Sequence, residues 1–500
     1  MKDKNIVYKT AYILLFATII LIHLITYNNS GFYVDEIGAA YDAYCIANFG
    51  VDRWLNSFPL YFTAYGDGQN ALLTYLMALV FYITGNYSKF IIRLFPLFFS
   101  LIAAHFISEI CSFRSKKHKL VSLSLYVVMP VFTLMFQIGL ESHLMLPLSA
   151  AFIYFLLKGI DSRKTRYFVI GGLLAGITFY TYALSYIVIP LFLVFTTGYC
   201  LYTKKMSIQN VFFLCIPVLL LGMPLFAIQI INIYDLETTQ LGIFTLPKFL
   251  TYRGNEITTK GFFQKIYWAF IHTNFYDSTP HNSIPVFGSI YYISIIFLII
   301  GFAGNLRKIK ESPQAAILII WTLCMYIMAG LLKDESYTNI TRLNALYLTK
   351  LAFITDGVFI IAAKMKPRLF KPFTGLLIGV YFILGLSFFG YYVLEYDIET
   401  KSSLFREAYS DIPEVEGDVY LPDNYIYLLW SKKISPYDFD IGKNGYQRYQ
   451  NYHIGYDKLD YNGHYLVYKN DTISQENLEC VGFDCEELAH YYLYNYMNSK

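Results

Sequence analysis

Residues 209–233 read QNVFFLCIPVLLLGMPLFAIQIINI and include no charged side chain. An α-helix rises about 1.5 Å per residue, so roughly 20 apolar residues cross the hydrocarbon core of a bilayer. A stretch of this length and composition therefore predicts a transmembrane helix. The same signal recurs along most of the chain.

The composition of the whole chain agrees with many such helices. Of 500 residues, 56% are apolar and only 15% are charged, which leaves too little polar surface for an ordinary soluble domain. The sequence predicts an all-α polytopic membrane protein with about eleven or more spans. Besides 209–233, the predicted spans lie near residues 11–27, 90–110, 120–138, 143–158, 168–184, 186–202, 286–304, 314–332, 343–362 and 373–394.

Basic residues cluster at every second connection between these predicted spans. Short cytoplasmic connections of membrane proteins hold an excess of Lys and Arg. We therefore expect a multi-pass protein of the plasma membrane with a cytoplasmic N-terminus and an extracytoplasmic C-terminus. Residues 71–85 are apolar but short, and we interpret them as re-entrant or interfacial because a full crossing would break this pattern. The clusters are Lys2 to Lys9, Arg114 to Lys119, Lys158 to Arg166, Lys204 and Lys205, Arg307 to Lys310, and Lys364 to Lys371.

The last part of the chain, residues 395–500, has a different composition. It holds 19 acidic and 9 basic residues, although the whole chain carries a net charge of +3. Alternating apolar and polar residues in Gly417 to Leu421 and His464 to Tyr468 predict strands. We expect a small extracytoplasmic α/β domain here. It follows a transmembrane catalytic domain, residues 1–394, with outer loops 28–89 and 234–285.

Several classes of site have no signal in this sequence. Neither a Walker loop nor a dinucleotide-binding glycine fingerprint occurs, which argues against a nucleotide-driven pump. The seven cysteines match no zinc-finger or haem spacing, and the interval between Cys480 and Cys485 permits a disulfide without requiring one. We expect no nucleic acid partner.

Both long outer loops are candidates for function, because loops of this length are seldom mere connections. The first begins with an acidic pair, Asp35 and Glu36, directly after the first span. A carboxylate there can take the proton of a sugar hydroxyl without crossing hydrocarbon. Asp35 is therefore the candidate general base, and Glu36 is a candidate ligand for the acceptor or a divalent ion. The alternative is a solvated acidic pair without a catalytic role.

Short motifs follow this pair in the order Gly50 to Arg53, Tyr65 to Asn70, Arg93 to Pro96, Gly139 to His143, Leu174 to Ala183 and Asn339 to Asn344. Their order resembles the family-39-type glycosyltransferases of the GT-C superfamily. That family includes protein O-mannosyltransferases and lipid A aminoarabinose transferases, membrane enzymes that use a polyprenyl-phosphate sugar. The likeness runs roughly through residues 10–390. One departure, the missing Lys-Pro-Pro at residues 66–70, leaves the donor-phosphate contacts of this loop open.

The resemblance implies roles for several of these residues. Glu141 resembles the second outer acidic site of the family, and His143 is a candidate partner for it in acceptor or metal binding. Arg93 and Arg342 are candidates to hold the donor phosphate, because a guanidinium pairs bidentately with phosphate oxygens. The alternatives are a hydrated helix-end acid for Glu141 and lipid headgroup contacts for the two arginines.

The remaining candidate substrate-binding residues are Asp67, Tyr182, His272 and Asn344. Tyr182 is a candidate for stacking on a sugar, and the alternative is a core or aromatic-belt position. His272 and His281 with Asp277 have a poor spacing for a metal site. The metal ligands are therefore unknown, a divalent metal ion stays an open alternative, and no other cofactor is expected.

Together these features predict a membrane glycosyltransferase. It would transfer a hexosyl or pentosyl group, with inversion, from a polyprenyl-phosphate donor to a glycan, lipid or protein acceptor on the extracytoplasmic face. Breaking the anomeric C–O bond leaves a phosphate anion, so the reaction needs a carboxylate base and cationic phosphate ligands. Two alternatives remain. One is a transporter or flippase of a lipid-linked saccharide, suggested by the many spans and by His23 and His105; the other is a non-catalytic scaffold for polysaccharide assembly.

Overall fold

The structure is a computed structural model that describes residues 2–64, 67–249, 257–333, 339–409, 412–422, 424–439, 448–456 and 459–496. The motif residues Tyr65 and Gly66 lie outside the described residues. The chain divides into two compact units. The helical unit comprises residues 1–29, 59–76 and 87–396, and the mixed unit comprises residues 30–58, 77–86 and 397–500.

Helices and strands are numbered in chain order. The first part of the chain forms α1 (Lys2–Thr26), β1 (Phe32–Tyr33), α2 (Val34–Phe49), β2 (Tyr61–Ala64), β3 (Asp67–Asn70), α3 (Ala71–Thr84), α4 (Lys89–Ser112), α5 (Lys116–Val128), α6 (Pro130–Met135), α7 (Met145–Ser162), α8 (Thr165–Thr178), α9 (Ser185–Tyr202) and α10 (Ile208–Ile233). The middle part forms β4 (Thr239–Leu241), β5 (Phe244–Leu246), α11 (Phe262–Asn274), α12 (Ser294–Arg307), α13 (Pro313–Leu331), α14 (Ile340–Leu343), α15 (Leu346–Lys364) and α16 (Pro367–Leu394). The last part forms β6 (Phe405–Arg406), β7 (Val419–Leu421), α17 (Tyr425–Lys432), β8 (Arg448–Tyr449), β9 (Tyr452–Ile454), β10 (His464–Tyr468), α18 (Thr472–Cys480), β11 (Phe483–Glu487) and β12 (Tyr491–Tyr496).

Eight helices in the described part of the chain are long and apolar enough to cross a membrane, namely α1, α4, α7, α9, α10, α13, α15 and α16. Three shorter apolar helices, α3, α8 and α12, accompany them. The predicted all-α polytopic class is thereby confirmed. The number of eleven spans, and the re-entrant interpretation of residues 71–85, stay predictions.

The predicted span at residues 120–138 forms two helices instead of one. The first, α5, ends at Val128, Met129 is extended with φ −74° and ψ 131°, and α6 begins at Pro130. A proline has no N–H to donate to the preceding turn, and it disfavours helical geometry in the residue before it. The break therefore follows from the position of Pro130.

Polar contacts within the helical unit join the basic connections at one end of the helices. Arg114 donates to Asn305 at 2.9 Å and to Ser312 at 3.1 Å, and Tyr199 donates to the carbonyl of Ile309 at 2.8 Å. These residues come from three separate connections that the sequence assigns to one side of the membrane. We call this the basic end of the helical unit.

Two glycines allow α12 and α15 to pack backbone against backbone. A Cβ added at Gly301 would overlap the carbonyl oxygen of Phe353, and one added at Gly357 would overlap the carbonyl oxygen of Phe297. Small residues at such crossings are how helices approach closely in a bilayer, where packing replaces the hydrophobic drive of water.

This crossing leads to a stability prediction. Gly301→Ala is expected to destabilise the protein by about 1–3 kcal/mol, because the overlapping atoms belong to backbone and cannot move aside alone. Thermal unfolding in detergent measures the loss. The matched control is Gly379→Ala on α16, where an added Cβ meets nothing within 4 Å. Equal unfolding temperatures for the two variants would contradict the close crossing.

The C-terminal part of the mixed unit is a six-stranded sheet with the order β11-β12-β10-β7-β9-β8. The predicted strands at Gly417 to Leu421 and His464 to Tyr468 are confirmed as β7 and β10, which pair in parallel. Tyr465, Val467, Leu478, Phe483 and Tyr494 form a hydrophobic cluster between the sheet and α18. The small C-terminal domain is thus present with strands and helices, and Cys480 and Cys485 are exposed and unbonded to each other.

Residues 30–58 belong to the same compact unit as this domain. Strand β1 pairs with β6, and the Tyr427 hydroxyl on α17 donates to the carbonyl of Phe32 at 3.0 Å. The Tyr41 hydroxyl on α2 donates to the carbonyl of Ile434 at 2.7 Å. The segment that carries Asp35 and Glu36 is therefore held by the C-terminal residues.

Candidate functional site

Asp35 and Glu36 lie in the first turn of α2, where the chain is helical and not an extended loop. Glu36 is fully buried, and its Oε2 accepts from the backbone N–H of Tyr33 at 3.3 Å, as in a helix-capping contact. Asp35 is exposed. Of the two acids, only Asp35 therefore presents its carboxylate to solvent, and Glu36 holds the start of the helix.

The loop after α2 folds back onto the helix through Arg53. This side chain is 2% exposed, donates to both carboxylate oxygens of Asp42 at 2.9 and 2.7 Å, and donates to the carbonyl of Gly38 at 2.6 Å. A bidentate pair of this kind fixes orientation as well as distance. The motif Gly50 to Arg53 thus holds α2 in position.

Asp52, in the same motif, is fully buried and accepts from the backbone N–H groups of Trp54 and Asn56 at 2.9 and 2.8 Å. Burial, together with the nearby charge of Asp42, raises the pKa of Asp52 to about 7. The positive charge of Arg53 is paired with Asp42 and does not offset this effect. Asp52 therefore binds a proton more tightly in the folded protein than in the unfolded chain.

This pKa gives a pH dependence of stability. An acid whose pKa is raised on folding contributes most stability below the unfolded value of 3.8, and that contribution is lost as the pH rises through about 7. The wild-type protein should lose roughly 2–4 kcal/mol of unfolding free energy through this group between pH 4 and pH 7, and Asp52→Asn should abolish that loss. Thermal unfolding of both proteins across this range measures it. Asp484→Asn, at an exposed site, is the control, and an unchanged slope in Asp52→Asn would refute the assignment.

In the helical unit, Arg93 lies near the start of α4 and is 1% exposed. Its Nη1 donates to the carbonyl of Gln137, and its own carbonyl accepts from His23 at 2.8 Å. A buried guanidinium stays charged, so its position in low dielectric makes it a strong partner for an anion. Arg93 and the segment before α7 are thereby brought together.

That segment continues into a 3-10 turn, Glu141–Leu144. Glu141 is partly buried and lies within electrostatic range of Tyr186, whose hydroxyl bonds to the amide of Asn70 at 2.5 Å. His143 is 2% exposed, and neither ring nitrogen makes a hydrogen bond of ordinary length and angle among the described residues, although the backbone of Met135 and Ile138 lies beside the ring. Unpaired buried polar atoms are costly and commonly mark sites that await a ligand or water.

Asn344 connects this turn to the late arginine motif. It is fully buried, and its Nδ2 donates to the carbonyls of Ser142 at 2.8 Å and Thr341 at 2.6 Å. Arg342 lies two residues before Asn344, in the short helix α14, and is partly buried. Glu141, His143, Arg342 and Asn344 are thus carried by two neighbouring segments of the helical unit.

Asp277 links a further segment to α14. Its Oδ2 accepts from Asn282 at 2.9 Å and from the backbone N–H of Ile340 at 2.7 Å, and Thr341 donates to Asn282 at 2.7 Å. The neighbouring His281 is 3% exposed, and burial lowers its pKa to about 4, so its ring is neutral near pH 7. His281 lies close enough to His143 to influence it electrostatically. These contacts define a buried polar cluster, which we call the histidine cluster: His143, Asp277, His281, Asn282 and Asn344.

Three further predicted residues also lie outside the histidine cluster as defined. His272 lies on α11, where Nδ1 contacts the carbonyl of Tyr276 at 3.1 Å. Tyr182 lies in the turn between α8 and α9 and is 8% exposed. Asp67 begins β3, and its side chain is outside the described residues. Among the residues that the structure describes, no group of three or more His, Cys, Asp or Glu is arranged to hold a metal ion.

Lys350 is a buried charged residue that was not among the candidates predicted from the sequence. It lies on α15, is 4% exposed, and donates to the carbonyl of Thr273 at 2.6 Å beside the ring of Tyr347. A lysine within the first turns of a predicted span is the signal that identifies such a residue, because charge inside a membrane is rare unless it has a role. Gln137 had no comparable signal.

Part of the helical unit matches a known protein family. Residues 70–231 match the family model of dolichyl-phosphate-mannose-protein mannosyltransferase. The matched stretch contains Arg93, Glu141, His143 and Tyr182. Among curated proteins, no sequence matches the chain.

Solved structures share the fold over the whole chain. ArnT from Cupriavidus metallidurans bound to undecaprenyl phosphate has a TM-score of 0.54 at 10% identity, covering 98% of this chain and 99% of that one. Its apo state gives 0.54 at 11% identity, with 97% and 98% covered. An Archaeoglobus fulgidus oligosaccharyltransferase tethered with an acceptor peptide gives only 0.47 at 12% identity, with 85% of this chain covered, and this chain spans 63% of its length.

The fold and the family-model match define the class. The chain has the fold of the GT-C superfamily of polyprenyl-phosphate-dependent membrane glycosyltransferases, so the resemblance predicted from the order of motifs is confirmed. Its similarity to the mannosyltransferase family is carried by residues 70–231, and the ArnT structures share its architecture from the helices to the C-terminal domain.

Proposed function

We propose that this protein is an inverting glycosyltransferase that moves a hexosyl or pentosyl group from a polyprenyl-phosphate donor to a glycan, lipid or protein acceptor on the extracytoplasmic face. The observation that carries the proposal is the match of residues 70–231 to a family of lipid-phosphate-sugar transferases. ArnT, which shares the fold, was crystallised with undecaprenyl phosphate, and this supports the donor class.

In the proposed reaction, Asp35, Arg93 and Arg342 act on the reacting atoms. The acceptor hydroxyl attacks the anomeric carbon, its proton passes to the carboxylate of Asp35, and the bond from the anomeric carbon to the phosphate oxygen breaks. The electron pair stays on the departing phosphate, where Arg93 and Arg342 stabilise the charge. A single displacement of this kind inverts the anomeric centre.

The structure supports different duties for the three candidate acids. Asp35 is exposed and so can be reached by an acceptor, whereas the burial of Glu36 favours a positioning role at the start of α2. Glu141 lies near Tyr186 and next to His143, which supports a role in acceptor binding. His143 and Asn344 would complete that subsite with uncharged donors and acceptors. Asp67, Tyr182 and His272 remain candidate sugar ligands.

The proposed side of the membrane gives a prediction about Asp35. A cysteine introduced there, Asp35→Cys, in a background lacking exposed cysteines, should react in intact cells with a maleimide that cannot cross membranes. Lys205→Cys at the basic end is the opposite-side control and should react only after permeabilisation. Labelling of position 35 only after permeabilisation would place the base on the wrong side for this reaction.

The decisive experiment is a direct transfer assay. Purified protein is incubated with labelled polyprenyl-phosphate sugars and candidate acceptors, and products are identified by mass spectrometry. Formation of a glycosylated acceptor with inverted configuration is the expected result. A chelator in a parallel reaction tests the need for a divalent ion. If reconstituted vesicles move lipid-linked saccharide without forming product, a transporter replaces the proposed enzyme.

A further inference from the structure

A cavity of about 300 Å³ lies between α1 and α5 at the basic end of the helical unit. From α1 it is lined by Tyr8, Lys9 and Tyr12, and from α5 by Lys116, Lys119 and Leu120. Residues three and four apart face the same side of a helix. The lining therefore comes from one face of each helix, and none of these residues is assigned to sugar transfer.

The charge of the lining is strongly positive. Three lysines line the cavity, and the first turn of α5 is basic at Lys116, Lys117, His118 and Lys119 with no acidic residue. The start of a helix is already the positive end of its dipole, so cations there repel both the dipole and one another. An anion bound between these lysines would remove that repulsion.

Of the two nearby carboxylates, Glu109 pairs with one lysine of the lining and Asp356 lies beside residues outside it. Glu109 pairs with Lys119, whose ammonium also lies 4.1 Å from the ring centre of Tyr12. Asp356 lies 3.7 Å from His118 and 3.8 Å from Arg114. In the described ranges, Lys9 has no carboxylate within ion-pair distance. No carboxylate of the described residues therefore neutralises the charge of Lys9.

The surroundings of the cavity indicate what kind of anion it meets. Ile13 and Leu14 on α1 are 66% and 61% exposed in a helix apolar enough to cross a membrane, so acyl chains surround them. Tyr8 and Tyr12 are of the type that occupies the membrane interface. Basic cavities between spans at this level bind the headgroups of anionic lipids.

We propose that this cavity binds the headgroup of an anionic phospholipid from the leaflet at the basic end. Lys9 and Lys116 contact the phosphate, and the Lys119–Tyr12 pair forms the wall beside it. The acyl chains lie along Ile13 and Leu14. Because only 17% of the residues in the α1 span are buried, the lipid also fixes α1 against α5.

The test uses the purified full-length protein in nanodiscs of phosphatidylcholine with graded phosphatidylglycerol. Lipid retention is measured by native mass spectrometry after release from the disc. Lys9→Gln with Lys116→Gln should weaken phosphatidylglycerol retention about fivefold for each lysine removed. Lys9→Arg with Lys116→Arg should retain it. The control is Lys117→Gln with Lys205→Gln, which removes the same charge outside the cavity.

The outcomes separate the proposal from general attraction to charge. Loss in the cavity variant alone, with rescue by arginine, supports the site. Equal loss in the control pair overturns it, because the attraction would then be diffuse. Competition by millimolar inorganic phosphate as strong as that by phosphatidylglycerol also overturns it, since the site would then take a free anion. Unchanged phosphatidylglycerol retention in every variant also overturns the proposal.

Discussion

Asp35→Asn is expected to lower the rate of sugar transfer by about 10²–10⁴-fold, the usual contribution of a general base. Asparagine keeps the size and shape of the side chain but cannot accept the proton of the acceptor hydroxyl. Asp35 is exposed in the first turn of α2, so the substitution changes no buried side chain. Initial rates with a labelled polyprenyl-phosphate sugar measure the effect.

A structural role for Asp35 predicts a much smaller change. An acid in the first turn of a helix contributes about 0.3–1 kcal/mol through the dipole, which affects the unfolding temperature and not the rate of the folded protein. Glu476→Gln, an exposed acid on α18, is the matched control and should leave the rate unchanged. Wild-type transfer by folded Asp35→Asn would eliminate this residue as the base.

The second large effect is expected at Arg93. Arg93→Gln should lower kcat/KM for the donor by about 10²–10³-fold, the loss typical of removing one preorganised donor to developing negative charge. The guanidinium is 1% exposed and is held by the carbonyl of Gln137, so its charge acts in a low dielectric. Arg93→Lys keeps the charge but not the bidentate geometry. Its kcat/KM should therefore lie between that of the wild type and that of Arg93→Gln.

A matched arginine separates this effect from a loss of folding. Arg114 is also partly buried and hydrogen-bonded, but at the basic end, so Arg114→Gln should reduce stability without changing kcat/KM of the folded fraction. Initial rates at varied donor concentration, normalised to folded protein, give the comparison. If folded Arg93→Lys and Arg93→Gln both retain wild-type kcat/KM, Arg93 does not contact the leaving phosphate.

The class of fold was predictable because the bilayer imposes a simple rule. Uncharged stretches of about 20 residues, such as 209–233, form helices in hydrocarbon since every backbone polar group must be satisfied within the segment. The strands β7 and β10 were predictable for a similar local reason, because alternation in Gly417 to Leu421 and His464 to Tyr468 matches the period of a half-buried strand. Neither prediction requires knowledge of distant contacts.

The arrangement of the candidate site was only partly predictable. The order of motifs indicated Glu141, His143, Arg342 and Asn344 without showing that they lie close together. The hydrogen bond from Asn344 to the carbonyl of Ser142 shows that two of those motifs are in contact. Asp277 was interpreted from spacing alone as a poor metal ligand. The structure instead shows its carboxylate joining residues 277–283 to Ile340. A sequence interval of more than sixty residues carries no signal for such a bond.

The sequence by itself determined that this chain is a multi-pass membrane protein and that its C-terminal part is a polar domain with strands. Those properties follow from composition and local periodicity, which act within one segment. Only the tertiary structure decided that Glu36 is buried while its neighbour Asp35 is exposed, and that Arg53 serves Asp42. It also decided that His143 and Asn344 belong to one buried cluster. Burial and pairing depend on which distant segments pack together, and that information is not present in any single stretch of residues.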